Sequence, residues 1–198
     1  MTLALTIRSL RSIAVDVPMA RPLGTSARTI RSAPLLLIDL DTNEGITGRA
    51  YLFCYLRAAA IATARILEEI AEEIKGAPVA PREIGITLAR HFRLIGTSGI
   101  VSMALSGVDM ALWDALAIAA DMPLARLLGA TPRSIRAYDS RGLGLIEPAA
   151  AADEAEELVA EGFGAVKLRL GRPSADSDLA VVRAVRKRLP QAVQVMVD

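Results

Sequence analysis

The sequence predicts an α+β unit followed by the opening strands and helices of a parallel α/β unit. Three observations carry this. Apolar residues alternate near the N-terminus, they recur at helical spacing between Arg57 and Ala120, and beyond Thr131-Pro132 strand and helix patterns take turns. With 198 residues and 53% hydrophobic content the chain can bury a real core, enough for one domain or one and a half.

Leu3 to Val17 alternates as a strand, and Pro34 to Leu40 with Ile46 to Phe53 reads as a hairpin turning at Asp41, Asn43 and Gly45. Between them Met19 to Ala33, with Pro22, Gly24, Arg21, Arg28 and Arg31, reads as a long irregular loop, a kind of segment that often carries function. From Arg57 to Lys75 the positions Ile61, Ala64, Leu67, Ile70 and Ile74 mark a helix that Gly76 and Pro78 stop, and a second helix is expected after Pro81. Ile100 to Ala120 is apolar enough to raise a membrane span. Asp109 and Asp114 inside it would each cost roughly 3 kcal/mol at a bilayer centre, so a buried helix packed closely through Gly107 and Ala111 is the better reading. Pro123 and Gly129 end the helical region, and Thr131-Pro132 marks the expected boundary between domains 1–131 and 132–198.

The second unit reads as a strand at Ile135 to Ser140, a helix from Pro148 to Glu161, a strand at Ala165 to Leu170, a helix from Ala175 to Leu189 and a strand at Val193 to Val197. Pro148 suits a first helical turn and Gly162 a helix C-terminus. This βαβαβ order leaves two parallel architectures, the doubly wound sheet and the barrel. Gly142 and Gly144 do not complete GxGxxG and no GK[ST] occurs, so nucleotide fingerprints are missing.

Composition narrows the class of partner. A net charge of +1, from 23 basic and 22 acidic residues spread along the chain, gives no basic face for nucleic acid and no polybasic membrane anchor. Small-molecule chemistry is the better expectation. The lone Cys54 rules out an internal disulfide and any CxxC motif, in keeping with a reducing cytoplasm, and reads as a buried small hydrophobe. Met1 to Ser12 lacks the pattern of a secretory signal, so a cytoplasmic location is expected.

Chemistry gathers at strand ends. Alternation puts Ala165, Lys167 and Arg169 on one face of their strand and Val166, Leu168 and Leu170 on the other. Two cations therefore project near the carboxyl end of a parallel strand, where barrels and open sheets alike place their sites. Asp198 ends the next strand. A plain set of ion pairs at a sheet edge accounts for these three residues as well as a site does, and one carboxylate falls short of the two or three that Mg²⁺ requires.

The order and spacing of several segments make the chain resemble mandelate racemase and its relatives in the enolase superfamily. They are VPMARPLGTSARTIRSAPLLLIDL, AYLFCY, SGVDMALWDALAIAADMPLARLLGA, AYDS, GFGAVKLRLG, DLAVVRAVR and VMVD, which together cover nearly the whole chain. The resemblance implies an α+β capping domain followed by an incomplete (β/α)8 TIM-type barrel, of which the first three strands are present. It implies a Mg²⁺-dependent enzyme, racemase or dehydratase of a 2-hydroxy acid or sugar acid, that removes the proton α to a carboxylate and passes through an enediolate. A divalent cation and ammonium groups answer the weak acidity of that proton by stabilising the charge that develops.

By the same resemblance Asp198 is the first metal ligand, and Lys167 is the first lysine of the family's Lys-x-Lys pair, beside the substrate carboxylate. The second position, the general base toward one face of the substrate, falls on Arg169. Arg stays protonated, with a pKa above about 12, so strict racemase chemistry is in doubt, whereas a dehydratase needs one base and one acid. Ser140 matches a hydroxyl that touches the substrate carboxylate; a local turn hydrogen bond is its plainer role. Leu23 and Ile30 in the flap, with Tyr55, match an apolar roof over the substrate, against ordinary core packing as the alternative. The flap arginines would face either a polyhydroxy acid or water. His91, the only histidine, is expected to be a half-exposed helical residue.

The remaining metal ligands and the opposite-face base are expected beyond residue 198, so the 198-residue chain alone is expected to be inactive. The resemblance implies a homo-oligomer, up to an octamer. The competing reading is a catalytically incompetent fragment that serves as a binding or assembly module, exposing sheet edge and apolar helix faces.

Overall fold

The computed structural model describes residues 4–198; Leu3, where the first strand was expected to begin, lies outside the described residues. The chain forms two compact units. One runs up to Val17 and includes Ala33–Arg133; the other joins Pro18–Ser32 to Ser134–Asp198.

β1 (Ile7–Gly24), β2 (Thr29–Thr42) and β3 (Thr47–Phe53) form a sheet in the order β1-β2-β3; β1 up to Val17, β2 from Ala33 and all of β3 belong to the first unit. β2 and β3 are antiparallel, with Leu35 opposite Phe53 and Asp41 opposite Thr47. Strand alternation puts Leu36, Ile38 and Leu40 in the core, all essentially buried. They pack with helices α1 (Arg57–Ile74), α2 (Pro81–His91) and α3 (Ile100–Ala119) in one apolar cluster; the short α4 (Leu124–Leu127) follows. The buried face of α1, with Ala60, Leu67, Ile70 and Ile74, follows the expected helical spacing, although Ile61 is exposed. α3 is long and apolar enough to cross a membrane, but eight of its residues lie inside this unit against β3 and α1. Close packing through Gly107 holds: an added Cβ there would press on Ile38 Cδ1 and lie 3.2 Å from Leu52 Cδ1. A second close approach was not anticipated. At Gly48 on β3 a Cβ would lie 2.8 Å from both the nitrogen and the Cβ of Ala115, and nearer still to the Ala111 carbonyl oxygen.

Two expectations are corrected here. Asp41 is not a turn residue. It ends β2 almost fully buried and accepts hydrogen bonds from Thr47 Oγ1 at 2.8 Å, Ser9 Oγ at 3.1 Å and Arg11 Nε at 3.2 Å. The bond from Thr47 is the main influence holding its carboxyl below the ordinary range. The turn itself is made by Thr42 to Ile46, with Gly45 at φ +83°. The second correction concerns Met19 to Ala33, which is no irregular loop. β1 continues through it to Gly24 and β2 starts at Thr29, joined by a tight turn in which Thr25 N–H donates to the Arg28 carbonyl at 3.0 Å and Arg28 N–H donates to Thr25 Oγ1 at 3.1 Å. Pro18 and Pro22 look like strand breakers in sequence. β1 is an edge strand, the position in a sheet where proline is tolerated.

In the second unit β4 (Ala165–Leu168) and β5 (Gln194–Val197) run parallel, Lys167 opposite Met196, connected by α6 (Ala175–Arg188). α5 (Pro148–Ala160) precedes β4, and the two helices bury Ala151, Ala155, Leu158, Val181 and Val185 against Val166 and Leu168. Pro148 sits in the first turn of α5 and Gly162 lies just past its end at φ +101°. Ser174 caps α6 by accepting from Ser177 N–H; Asp176 and Asp178 open that helix and Arg186 to Arg188 close it, in line with its dipole. The expected strand Ile135 to Ser140 contracts to a single bridge between Asp139 and Val166. The Asp139 backbone enters the ladder, donating to the Ala165 carbonyl at 2.9 Å and accepting from Lys167 N–H at 2.8 Å, while Ile135 is 81% exposed.

Candidate active site at the strand ends

Val166 and Leu168 point into the helix-covered core, so Lys167 and Arg169 take the opposite face of the strand. The ladder does not stop at the last residue of β5. Asp198 N–H donates to the Leu168 carbonyl at 3.1 Å and the Asp198 carbonyl accepts from Leu170 N–H at 2.8 Å. This fixes the Asp198 backbone beside the end of β4, and its carboxylate Oδ2 lies 2.6 Å from Lys167 Nζ. The hydrogen bond from Lys167, reinforced by its charge and that of Arg169, lowers the Asp198 carboxyl below its ordinary value. Lys167 and Asp198 are thus brought together as the sequence implied.

Arg169 does something else. Its Nη1 donates to the Ser140 carbonyl at 3.3 Å and the Gly142 carbonyl at 3.0 Å, and its backbone N–H to the Leu143 carbonyl at 3.0 Å. Three residues on, Arg172 donates to the carbonyls of Gly144 at 3.2 Å and Ile146 at 2.7 Å, with Nη1 at 3.2 Å from Asp178 Oδ1. Two guanidinium groups therefore pin alternate carbonyls of one loop, residues 140–146. The Arg169 guanidinium is occupied as a hydrogen-bond donor to the loop rather than free toward the substrate side. Sequence reasoning did not find Arg172, since nothing in GRPS distinguishes it from a surface arginine.

Ser140 is exposed and shares with Leu23, Met19 and Arg141 the lining of a cleft of about 220 Å³. Arg141 pairs with acidic groups as well, with Nη2 2.6 Å from the buried Asp139 carboxylate and also against Glu161; its hydrogen bond is the main cause of the lowered Asp139 carboxyl. Ile30 is 7% exposed, the burial of a packing residue. Tyr55 belongs to the first unit, is 58% exposed, and stacks edge-on to Phe53 at 4.4 Å with φ at +59°, an uncommon backbone state for a non-glycine residue. Arg21 also lines the cleft shared by Ser140 and Leu23, and its guanidinium binds Glu154 at 2.7 Å and Glu157 at 3.0 Å. His91 closes α2 half-buried, between Glu69 at 3.4 Å and Glu73 at 3.5 Å.

Among the described residues no group of three or more His, Cys, Asp or Glu is placed to hold a metal ion. Asp198 fits a hard cation by chemistry, an ionised carboxylate on a fixed backbone, and supplies one ligand of such a set.

Comparison with known proteins gives the frame for this geometry. The family model for the mandelate racemase / muconate lactonizing enzyme N-terminal domain matches residues 8–129, and that for the enolase C-terminal domain-like family matches residues 150–198. A D-galactonate dehydratase family member of Catenulispora acidiphila is 36% identical over 79% of this chain and 39% of its own length. The L-talarate/galactarate dehydratase of Salmonella typhimurium is 29% identical over 94% of this chain and 47% of its own length. Among solved structures, an enolase from the alpha proteobacterium BAL199 with bound Mg superposes with a TM-score of 0.93 at 42% identity, covering 98% of this chain and 55% of that one. An enolase from Bradyrhizobium complexed with magnesium and mandelic acid gives 0.89 at 36% identity, covering all of this chain and 55% of that one. The chain thus spans about half the length, or less, of the proteins it matches. By the extent of these matches the chain belongs to the mandelate racemase / muconate lactonizing enzyme family of the enolase superfamily.

Proposed function

We propose that the whole protein is a Mg²⁺-dependent dehydratase of a hydroxy or sugar acid, removing the proton α to the substrate carboxylate. The observation that carries this reading is the Lys167–Asp198 pair, 2.6 Å apart at the carboxyl ends of adjacent parallel strands, in a chain of this family. Asp198 contributes one metal ligand, and Lys167 offers its ammonium to the substrate carboxylate. Bound Mg²⁺ supplies positive charge where negative charge builds up as the α-proton leaves. Ser140 and Leu23 border the substrate from the cleft they share, and Tyr55, exposed past the end of β3, is the apolar candidate of the first unit.

Arg169 turns the reading from racemase to dehydratase. A racemase needs an acid or base on each face of the α-carbon, and a guanidinium bonded to two carbonyls is a poor one. Loss of water needs one base for the α-proton and one acid for the departing β-hydroxyl, and the resulting enol becomes a 2-keto acid. Two of the relatives, a D-galactonate dehydratase family member and an L-talarate/galactarate dehydratase, support this reading; the relatives also include epimerases and cycloisomerases.

The test uses the full-length protein with Mg²⁺ on a panel of D-galactonate, L-talarate, galactarate and mandelate. The expected outcome is 2-keto acid formation from at least one sugar acid, with solvent deuterium entering at C3, the former β-carbon, as the enol is protonated, and turnover abolished by a chelator and restored by Mg²⁺. Asp198→Asn should raise the Mg²⁺ concentration needed for half-maximal rate at least about tenfold, the usual scale for a lost metal interaction. Turnover undiminished by chelation overturns the proposal.

A further inference from the structure

The turn after the Asp139 bridge is built in a demanding conformation. Gly142 and Leu143 are consecutive left-handed residues, φ +62° and +46°, and Leu143 is fully buried. A non-glycine residue holds such a state only where its surroundings over-determine it. One side of that determination is Arg169, which donates its backbone N–H to the Leu143 carbonyl and its side-chain N–H to the Ser140 and Gly142 carbonyls. The other side is Glu154 on α5. Its Oε2 accepts the Leu143 N–H at 2.7 Å, and the carboxylate lies so close to Gly142 that an added Cβ would be 2.8 Å from Oε2. The same carboxylate takes Arg21 from β1 through Oε1 at 2.7 Å, and the pairing raises the Arg21 pKa, mainly through the Glu154 hydrogen bond.

We infer that Glu154 is a positioning residue that couples β1 at Arg21 to the Ser140–Leu143 turn, so that the turn bearing Ser140 keeps its conformation only while Arg21 is engaged. The inference rests on the proposed function only for its kinetic consequence. Arg21 balances one carboxylate that would otherwise lie half-buried with a single N–H partner, and it does so from 133 positions away. Removal of Arg21 therefore loosens a turn to which it makes no hydrogen bond among the described residues.

The test compares wild type, Arg21→Met, Arg21→Lys, Glu154→Gln and Glu154→Ala in the full-length protein by hydrogen exchange of the 140–147 peptide, with melting temperature as a control. Coupling predicts about tenfold faster exchange at the Leu143 amide in E154A, the scale of a lost charge-assisted hydrogen bond, a smaller rise in R21M and partial rescue in R21K. On the panel acid turned over fastest, R21M should raise KM several-fold with kcat within about twofold, the pattern of lost ground-state positioning. Unchanged Leu143 exchange in R21M overturns the inference, as does exchange that rises only in step with a falling melting temperature. If no panel acid is turned over, the function proposal fails while the exchange comparison still decides this one.

Discussion

Substituting Gly48 by Ala should be among the most damaging single-methyl changes in the first unit, far worse than the same change at Gly107. At Gly48 the new Cβ meets helix backbone: it falls 2.8 Å from the Ala115 nitrogen and closer to the Ala111 carbonyl oxygen, groups fixed by the hydrogen bonds of α3. The only relief is to move α3 off β3, and a gap on the order of 0.5–1 Å forfeits a quarter to a half of the dispersion energy along that contact. Overpacking typically costs about 1–3 kcal/mol, and a backbone clash belongs at or above the top of that range. Gly107→Ala meets Ile38 Cδ1 and Leu52 Cδ1, the far ends of side chains that can turn, and in the middle of a helix the change recovers roughly 0.5–1 kcal/mol of backbone entropy. The net cost there should be no more than about 1 kcal/mol. Urea titration of the 198-residue chain followed by fluorescence of Trp113, its one tryptophan, which sits on α3, measures both. The variants should differ by at least about 2 kcal/mol. Equal losses, or a milder effect at Gly48, refute the claim that immobile helix backbone decides the cost.

Arg169→Lys restores the Lys-x-Lys spacing but gives one ammonium where a guanidinium now serves two carbonyls; with about 1 kcal/mol lost, kcat/KM on the fastest panel acid should fall about fivefold. No racemised substrate should appear, and inversion at a rate near that of dehydration speaks against the assignment of Arg169. The lowered Asp139 and Asp41 carboxyls have folded-state values below their unfolded ones, so the stability they contribute is present above about pH 4 and drains away as pH falls through the folded values. Asp139→Asn should cost about 1–2 kcal/mol at pH 7 and flatten the acid limb of a stability–pH curve, discounted because Arg141 is half exposed; an unchanged limb contradicts this.

Legibility in the sequence followed the range of the interaction. α1, α3, α5 and α6 declare themselves by local periodicity and by Gly and Pro punctuation, and each lies within a residue or two of its expected span. The pairing of Lys167 with Asp198 was readable because alternation and parallel strand ends are both short-range rules. The β1–β2 ribbon was not, because whether Pro18 and Pro22 break a strand depends on which side of the sheet that strand occupies. Likewise Ile135 carries strand propensity that no pairing among the described residues realises. The clamps made by Arg21, Glu154 and Arg172 join residues far apart in sequence and leave no local trace.

The continuity of β1 from Ile7 to Gly24 restricts how this part of the molecule can vary. In a free loop, residues can be added or lost almost anywhere. In a ribbon a single insertion between Pro18 and Gly24 turns every later side chain to the opposite face, carrying Arg21 or Leu23 away from its present neighbours. Length variants should therefore survive in matched pairs on the two strands, or at the Thr25–Arg28 turn, and an engineer seeking to reshape the cleft beside Ser140 has substitution, rather than insertion, as the workable route.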